Sequence, residues 1–566
     1  MFIFFKKIHF EKFSKNINKI REKYTLKLFQ NSTLYILYND AELISLSDNK
    51  IIIYEKLFSK TDFEEVTVDN LKSISSLNSF IDLFYGSYIW IEYINDGFKI
   101  YRDISGKSRI FYNYQNNVDI YFSDVFLWYN LIDKDPKFNL EYLQKFVLEG
   151  NFLSTHTAHV GINEIPPGWQ LCYKLDKPLL NSYWLTRFFN ICHFKTTKNL
   201  EEKLLTTLIG VISNQIKNVN NIVVDFSGGV DSTGIMLLVN FVKHKYQTVV
   251  AGHYYSENVK SSCELEYVQE VINNINIPLM TVKYSENDLP FTPRATALKQ
   301  LNYVHTTLVY GRNDEVINSY IKPTTNKVFI SGHGGDHIFC CPPLVCSLID
   351  RLFHFNLFKT PKYFKDFAIY HGIPLLKIFS FILKFMFTST NKVLSNSNLF
   401  IKNNSELCFP LDFNLEVLPG KKEHVQLLHD ALADIRYNIR GESPILYPLL
   451  QEPIIEIVLQ LKTYDLFQNE MDRFPYRKII KNKFGCYKSL DRQSKGETSG
   501  IIFAGLIKNK KTVQEYLFNG NLAQCGVIDI DRLRILFQNA LNGVLQENEL
   551  NEIMNLWNSE EFYRSW

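Results

Sequence analysis

The sequence predicts a two-part protein of the α/β plus α+β class. An antiparallel, sheet-rich segment over residues 1–185 precedes a parallel-sheet segment with a helical extension over 200–566. Three observations predict it. Residues 84–122 alternate aromatic or β-branched residues with polar ones and are broken by turn signals such as Asn95, Asp96 and Gly97. From Leu200 helix and strand patterns alternate, which implies parallel strands covered by helices on both faces. Two glycine-rich loops, Ser227–Ser232 and Ser331–His337, each follow an apolar run, and so fall at the carboxyl ends of strands, where such sheets bind ligands.

Taken in order, strands are expected over 84–94, 98–101, 109–114 and 118–122, a helix over 140–149, and a turn into a strand over 165–173. Periodicity lapses around 186–200, where the junction is placed. The second part then reads as helix 204–215, strand 222–226, strand 248–255, helix 264–274, and strands 278–284 and 328–330. After residue 342 the pattern is mostly helical to the end. The aromatic-rich stretch 343–440 reads equally as ordinary core and as the lining of a substrate chamber.

Composition narrows the function. With 566 residues, net charge +3 and pI near 8.1, the chain carries no polyelectrolyte signal for nucleic acid. The basic stretch Lys6–Lys27 reads as a solvated helical face. Nine scattered cysteines with no CxxC pair support neither a disulfide scaffold nor a zinc site, and suit a reducing cytoplasm. The N-terminus lacks a secretory cleavage pattern. The most lipid-like run, 373–387, carries Lys377 and Lys384 and is too short to span a bilayer. It reads as an amphipathic helix of the fold, with membrane-surface contact as the alternative and no stable insertion expected.

The loop Ser227, Gly228, Gly229, Val230, Asp231, Ser232 sits between a strand and a helix and has no Walker lysine. Its glycines permit backbone conformations that turn successive N–H groups toward an anion, and the helix behind adds its positive end. Ser227 and Ser232 add hydroxyls. Asp231 repels phosphate by itself, so its expected task is to hold Mg²⁺ against one. In the second loop Ser331 and Gly332 begin the turn, and Asp336 either shares that Mg²⁺ or caps a helix. His333 and His337 read as hydrogen-bonding walls, because no third ligand is spaced to complete a zinc site.

The first loop resembles the SGGxDS loop of ATP pyrophosphatases, which cleave ATP between the α- and β-phosphates. Both loops in this order resemble the asparagine-synthetase superfamily. Residues 102–112, 122–124 and 165–168 are similar to its RDxxGxxPLYY, FxSE and LPPG elements, and 446–456 to its RxPFLDxxLVE element. The resemblance implies a class II glutamine-amidotransferase-like domain over 1–185 and an ATP-pyrophosphatase (PP-loop) domain over 200–566. A working glutaminase needs a processed N-terminal cysteine. Here Phe2 follows Met1 and the first cysteine is Cys172, so glutamine hydrolysis is not expected.

Both glutamates of the usual SGEGxDE signature are histidines here. That variant, the stretch 471–477 and the stretch 495–503 resemble the lasso-peptide macrolactam synthetases. This resemblance implies an ATP- and Mg²⁺-dependent ligase that adenylates an Asp or Glu side chain of a precursor peptide. The peptide's own N-terminal amine would then displace AMP. Lys495 falls where the family's pyrophosphate-binding lysine stands, and His253 where backbone contacts adenine. Asp231 and Asp336 are the expected metal ligands. His333, Asp336, Lys495 and Glu442 make the expected reacting set, although Glu442 is out of register with the family's proton-accepting glutamate. A precursor (core) peptide, a leader peptidase and a leader-binding protein are the implied partners. A small-molecule amide synthetase of the asparagine or β-lactam type is the alternative. A tRNA-thiolating enzyme is disfavoured by the lack of CxxC and of a basic surface.

Overall fold

The computed structural model describes all residues except 7–9, 32–33, 40–41, 48, 95–96, 116–117, 175–176, 192–196, 257–258, 260–262, 295–299, 321–325, 388–414, 437–438, 441–442, 494–498, 527 and 545–546. The expected fold class is borne out: two antiparallel sheets come first, and a largely parallel sheet with helices follows.

The first strand shows how the N-terminal layers arise. Phe2–Lys6 is apolar at nearly every position because both of its faces are buried. Phe2 and Phe4 pack between the two sheets with Ile51, Ile53, Ile89 and Ile91, whereas Ile3 and Phe5 face a helix layer with Ile17, Ile20 and Trp128. The second sheet repeats the period of two. Ile52, Tyr54, Tyr88 and Trp90 point the other way, into a core shared with Val224, Ile235 and Leu450 of the following segment. One continuous hydrophobic cluster therefore joins the antiparallel sheet to the parallel one. The last helix, Glu547–Arg564, returns to pack Trp557 among Tyr142, Phe146 and Phe291.

Buried charge also crosses the shared region. Arg102 donates to Glu164 at 2.6 Å and to the carbonyls of Ile165 and Gly106, both at 2.8 Å. Arg436 and the Tyr303 hydroxyl reach the same Glu164 carboxylate at 2.9 and 2.7 Å. The motif around Arg102 thus ties two turns to the turn that follows the distant helix Pro419–Asp434. Glu164→Ala would leave two buried guanidinium groups without their anion. We expect a loss of about 3–5 kcal/mol, seen as a lower urea midpoint, with a smaller loss for Glu164→Gln. An unchanged midpoint for the alanine variant would refute this.

The third sheet runs in the order Leu279–Tyr284, Thr248–Ser256, Asn221–Asp225, Lys327–Ser331, Ser443–Leu446, Ile439–Arg440. The first five strands are parallel, and the last pairs antiparallel with its neighbour. Ser443–Leu446 lies within the stretch expected to be mostly helical. Four residues that include Pro444 are too few to show a period of two, so pairing with Phe329 and Ile330 decides their conformation. The two loop-bearing strands are direct neighbours, with Asp225 opposite Ser331. Both loops therefore leave the sheet side by side.

Part of the 343–440 stretch is core. Tyr363, Phe364, Phe367, Ile378 and Ile382 pack with Leu348, Tyr464 and Phe467 in a satellite cluster. Among the described residues, no single helix is long and apolar enough to cross a membrane.

Candidate active site

The first loop turns from Asp225 into the helix Val230–Val242 with Gly229 at its N-cap. Gly228 takes φ +85°, a region that a side chain disfavours. The Ser227 hydroxyl lies 3.1 Å from that of Ser232 and accepts from the Gly229 amide at 3.3 Å. Ser232 in turn donates to the Gly229 carbonyl at 3.1 Å. The loop is thus braced by its own hydroxyls, with the free N–H groups of the first helical turn at its mouth.

The second loop presses directly on the first. A Cβ on Gly332 would lie 2.8 Å from the Ser232 amide nitrogen, and one on Gly335 would lie 2.4 Å from the Asp231 carboxyl carbon. Those two glycines are needed for close approach, which a local reading of the turn does not reveal. Between the loops lies a cavity of about 300 Å³. Ser227, Gly229, Asp231, Ser232, Ser331, Gly332, His333, Asp336 and His337 line it, together with Asp225, Tyr254, Arg473 and Arg492.

Sequence reasoning gave Arg473 no role, yet it organises the charges. One of its terminal nitrogens donates to Asp231 at 2.7 Å and to Asp336, while Nε donates to Asp472 at 2.7 Å. Arg473 holds this position with φ 50°, in the left-handed region. Asp472 is fixed by Arg477 at 2.8 Å and by the Tyr370 hydroxyl at 2.8 Å. Burial works to raise Asp472, but the two guanidinium groups hold it below the usual carboxylate range. Burial raises Asp231 too, Arg473 opposes, and the Asp336 carboxylate adds to the rise, so its pKa is pushed up to about 7.

Asp231 and Asp336 are carboxylates of the kind that hold a hard divalent cation, and in this structure the Arg473 guanidinium lies on both. Asp231 Oδ1 is buried without a hydrogen-bond partner, and a second carboxylate faces it across the cleft. One or two carboxylates are what Mg²⁺ takes when it arrives on a polyphosphate. Among the described residues no group of three or more His, Cys, Asp or Glu side chains is arranged to hold a metal ion.

The histidines form the opposite wall. His333 Nε2 lies 3.4 Å, and His337 Nε2 3.8 Å, from Asp434 Oδ2. Asn151 donates to the other oxygen of Asp434 at 2.8 Å, and His305 Nε2 lies 2.7 Å from the Asp434 carbonyl. Burial works to raise Asp434, yet His333, Asn151 and His305 together hold it below the usual carboxylate range. An anionic Asp434 therefore backs His333. Its position at the end of Pro419–Asp434, an ordinary helix pattern, carried no sequence signal.

Two further expectations can be placed. Gly228 packs under the loop against Tyr267 rather than facing the cavity. His253 is buried beneath the loop, its Nδ1 3.0 Å from the Phe226 carbonyl, so its side chain is a support. Lys495 and Glu442 lie outside the described residues.

Comparison with known proteins agrees with this geometry. Residues 204–352 match the asparagine synthase family, whose members are ATP-using, amide-forming ligases. The chain is also 25% identical over 484 residues, 84% of each protein, to the microcin J25-processing protein McjC of Escherichia coli. The resemblance drawn from the loops is borne out at that level.

Proposed function

We propose that this chain is an AMP-forming ligase that closes a macrolactam in a ribosomally made lasso peptide. Residues 1–185 would form the amidotransferase-like part and 200–566 the PP-loop part. The carrying observation is the pair of loops facing each other across one cavity, with Asp231 and Asp336 joined through Arg473. The match to an asparagine synthase and the similarity to a microcin-processing protein support the substrate class.

In this reading the Gly229 region, Ser227, Ser232 and the N-terminal end of the Val230–Val242 helix hold the phosphates of ATP. Lys495 would join them. The side-chain carboxylate of an Asp or Glu in the peptide attacks the α-phosphate, and pyrophosphate leaves. The peptide's N-terminal amine then adds to the acyl carbon and AMP departs. Since amine and acyl group belong to one molecule, holding them in register can supply several kcal/mol, up to about 7–11 in good cases. Mg²⁺ on Asp231 and Asp336 would offset charge between the phosphates and these carboxylates. The His333 imidazole, whose Nε2 lies 3.4 Å from Asp434, is the group to which we assign the proton shed by the amine.

Purified protein with Mg-ATP and a leaderless candidate peptide should yield a peptide lighter by one water, with AMP and pyrophosphate. Formation of ADP and phosphate, or equal AMP release with free amino acids in place of peptide, would overturn the proposal.

The raised Asp231 adds a prediction that needs no turnover. A group with pKa near 7 is mostly protonated at about pH 6, and cation binding requires it ionised. Loading with Mg-ATP should therefore release up to about one proton per site near pH 6 and almost none above about pH 8. Calorimetry in buffers of different ionisation enthalpy reads this directly. Asp231→Asn should abolish the difference, and pH-independent proton release would count against it.

A further inference from the structure

A second feature lies in the helical extension, apart from the ligase cavity. The helix Lys359–His371 and the segment Leu375–Leu383 of the next helix, Leu375–Phe387, meet at a bend of 110°, after Gly372 ends the first at φ 60°. The inner faces of both are spent on the satellite core with Leu348, Ile349, Tyr464 and Phe467. The outer faces are apolar as well. Leu376, Phe379 and Leu383 follow one another at helical spacing of three and four, and all are exposed, Leu376 at 81%. Ile369 and Leu375 join them. The segment leading in presents Phe353, Phe355, Leu357 and Phe358, the last at 82%.

A helix apolar all round is ordinarily covered all round. Soluble monomers rarely leave an apolar surface of this extent bare, so something covers it. The charges decide what. Between Phe353 and Leu383 the exposed charged residues are Lys359, Lys362, Lys365 and Lys377, and the one acid, Asp366, is buried. Lysines around an apolar face suit an anionic headgroup layer above hydrocarbon, because the ammonium ends reach the headgroups while the stems lie on apolar surface. Neither helix alone is long and apolar enough to cross the bilayer, and the inner faces of both are committed to the core.

We propose that this surface docks the protein on an anionic lipid membrane, lying in the interface rather than spanning it. Its occupant is the bilayer surface, and the exposed aromatic and leucine side chains enter the boundary between headgroups and acyl chains.

The test is co-sedimentation of the full chain with phosphatidylcholine vesicles, with and without phosphatidylglycerol. Binding is expected to the anionic vesicles alone and should weaken as salt rises. The double variant Leu376→Glu with Phe379→Glu should bind at least about tenfold less. The triple variant Lys359→Gln, Lys365→Gln, Lys377→Gln should lose roughly fivefold per lysine. All five side chains are exposed, and an unchanged thermal midpoint confirms that each variant is folded. Equal binding to neutral and anionic vesicles, or full binding by the leucine–phenylalanine variant, would overturn the proposal. So would a concentration-dependent dimer that Leu376→Glu dissolves while wild type ignores vesicles, since the face would then belong to a second copy. The ligase reading is untouched by either result.

Discussion

Asp231→Asn is expected to lower AMP formation by about 10³-fold while leaving the fold in place. Asparagine keeps the volume that Gly335 packs against, where alanine would open a hole. Arg473 retains Asp336 and Asp472 as partners, so no buried guanidinium is stranded. What disappears is the negative charge that would hold a cation against the phosphates. The loss should appear in pyrophosphate exchange as well as in the complete reaction, because adenylation comes first in the proposed reaction. Chromatographic assay of AMP, with a matching circular dichroism spectrum, measures it. Near wild-type activity would remove Asp231 from the mechanism and the metal assignment with it.

His333→Ala should act on the other half-reaction. Loss of a general base costs about 10²–10⁴-fold. The cost is expected in the step where the amine displaces AMP, with peptide-dependent pyrophosphate exchange largely retained. Asp434→Asn should give a smaller fall, because it removes the charge behind the imidazole but not the imidazole itself. Equal loss in both half-reactions would place His333 among the phosphate-binding groups. No loss in either would move proton acceptance elsewhere.

The parts of the site legible in the sequence were those whose geometry is local. A strand, two glycines and a helix start can be read from consecutive residues, and Ser227, Asp231, Ser232, Ser331 and Asp336 line one cavity as expected. Asp434 was illegible because a helix end with an aspartate is commonplace, and nothing nearby points to His333. Arg473 lay in a stretch noted for its family likeness, but its role depends on two carboxylates far away in sequence. The Ser443–Leu446 strand was missed because its conformation comes from a partner strand rather than from its own pattern.

By itself, then, the sequence determined that two glycine-rich turns end two strands of a parallel sheet, since glycine freedom and hydrophobic period are properties of neighbouring residues. Only the tertiary structure decided which charges meet there. Asp231 and Arg473 are 242 positions apart, and no periodicity spans such a distance. Neighbouring strands bring the loops of Asp231 and Asp336 within contact, Arg473 reaches both from the N-cap of the helix Phe474–Phe484, and burial makes any charge left alone in that cleft costly.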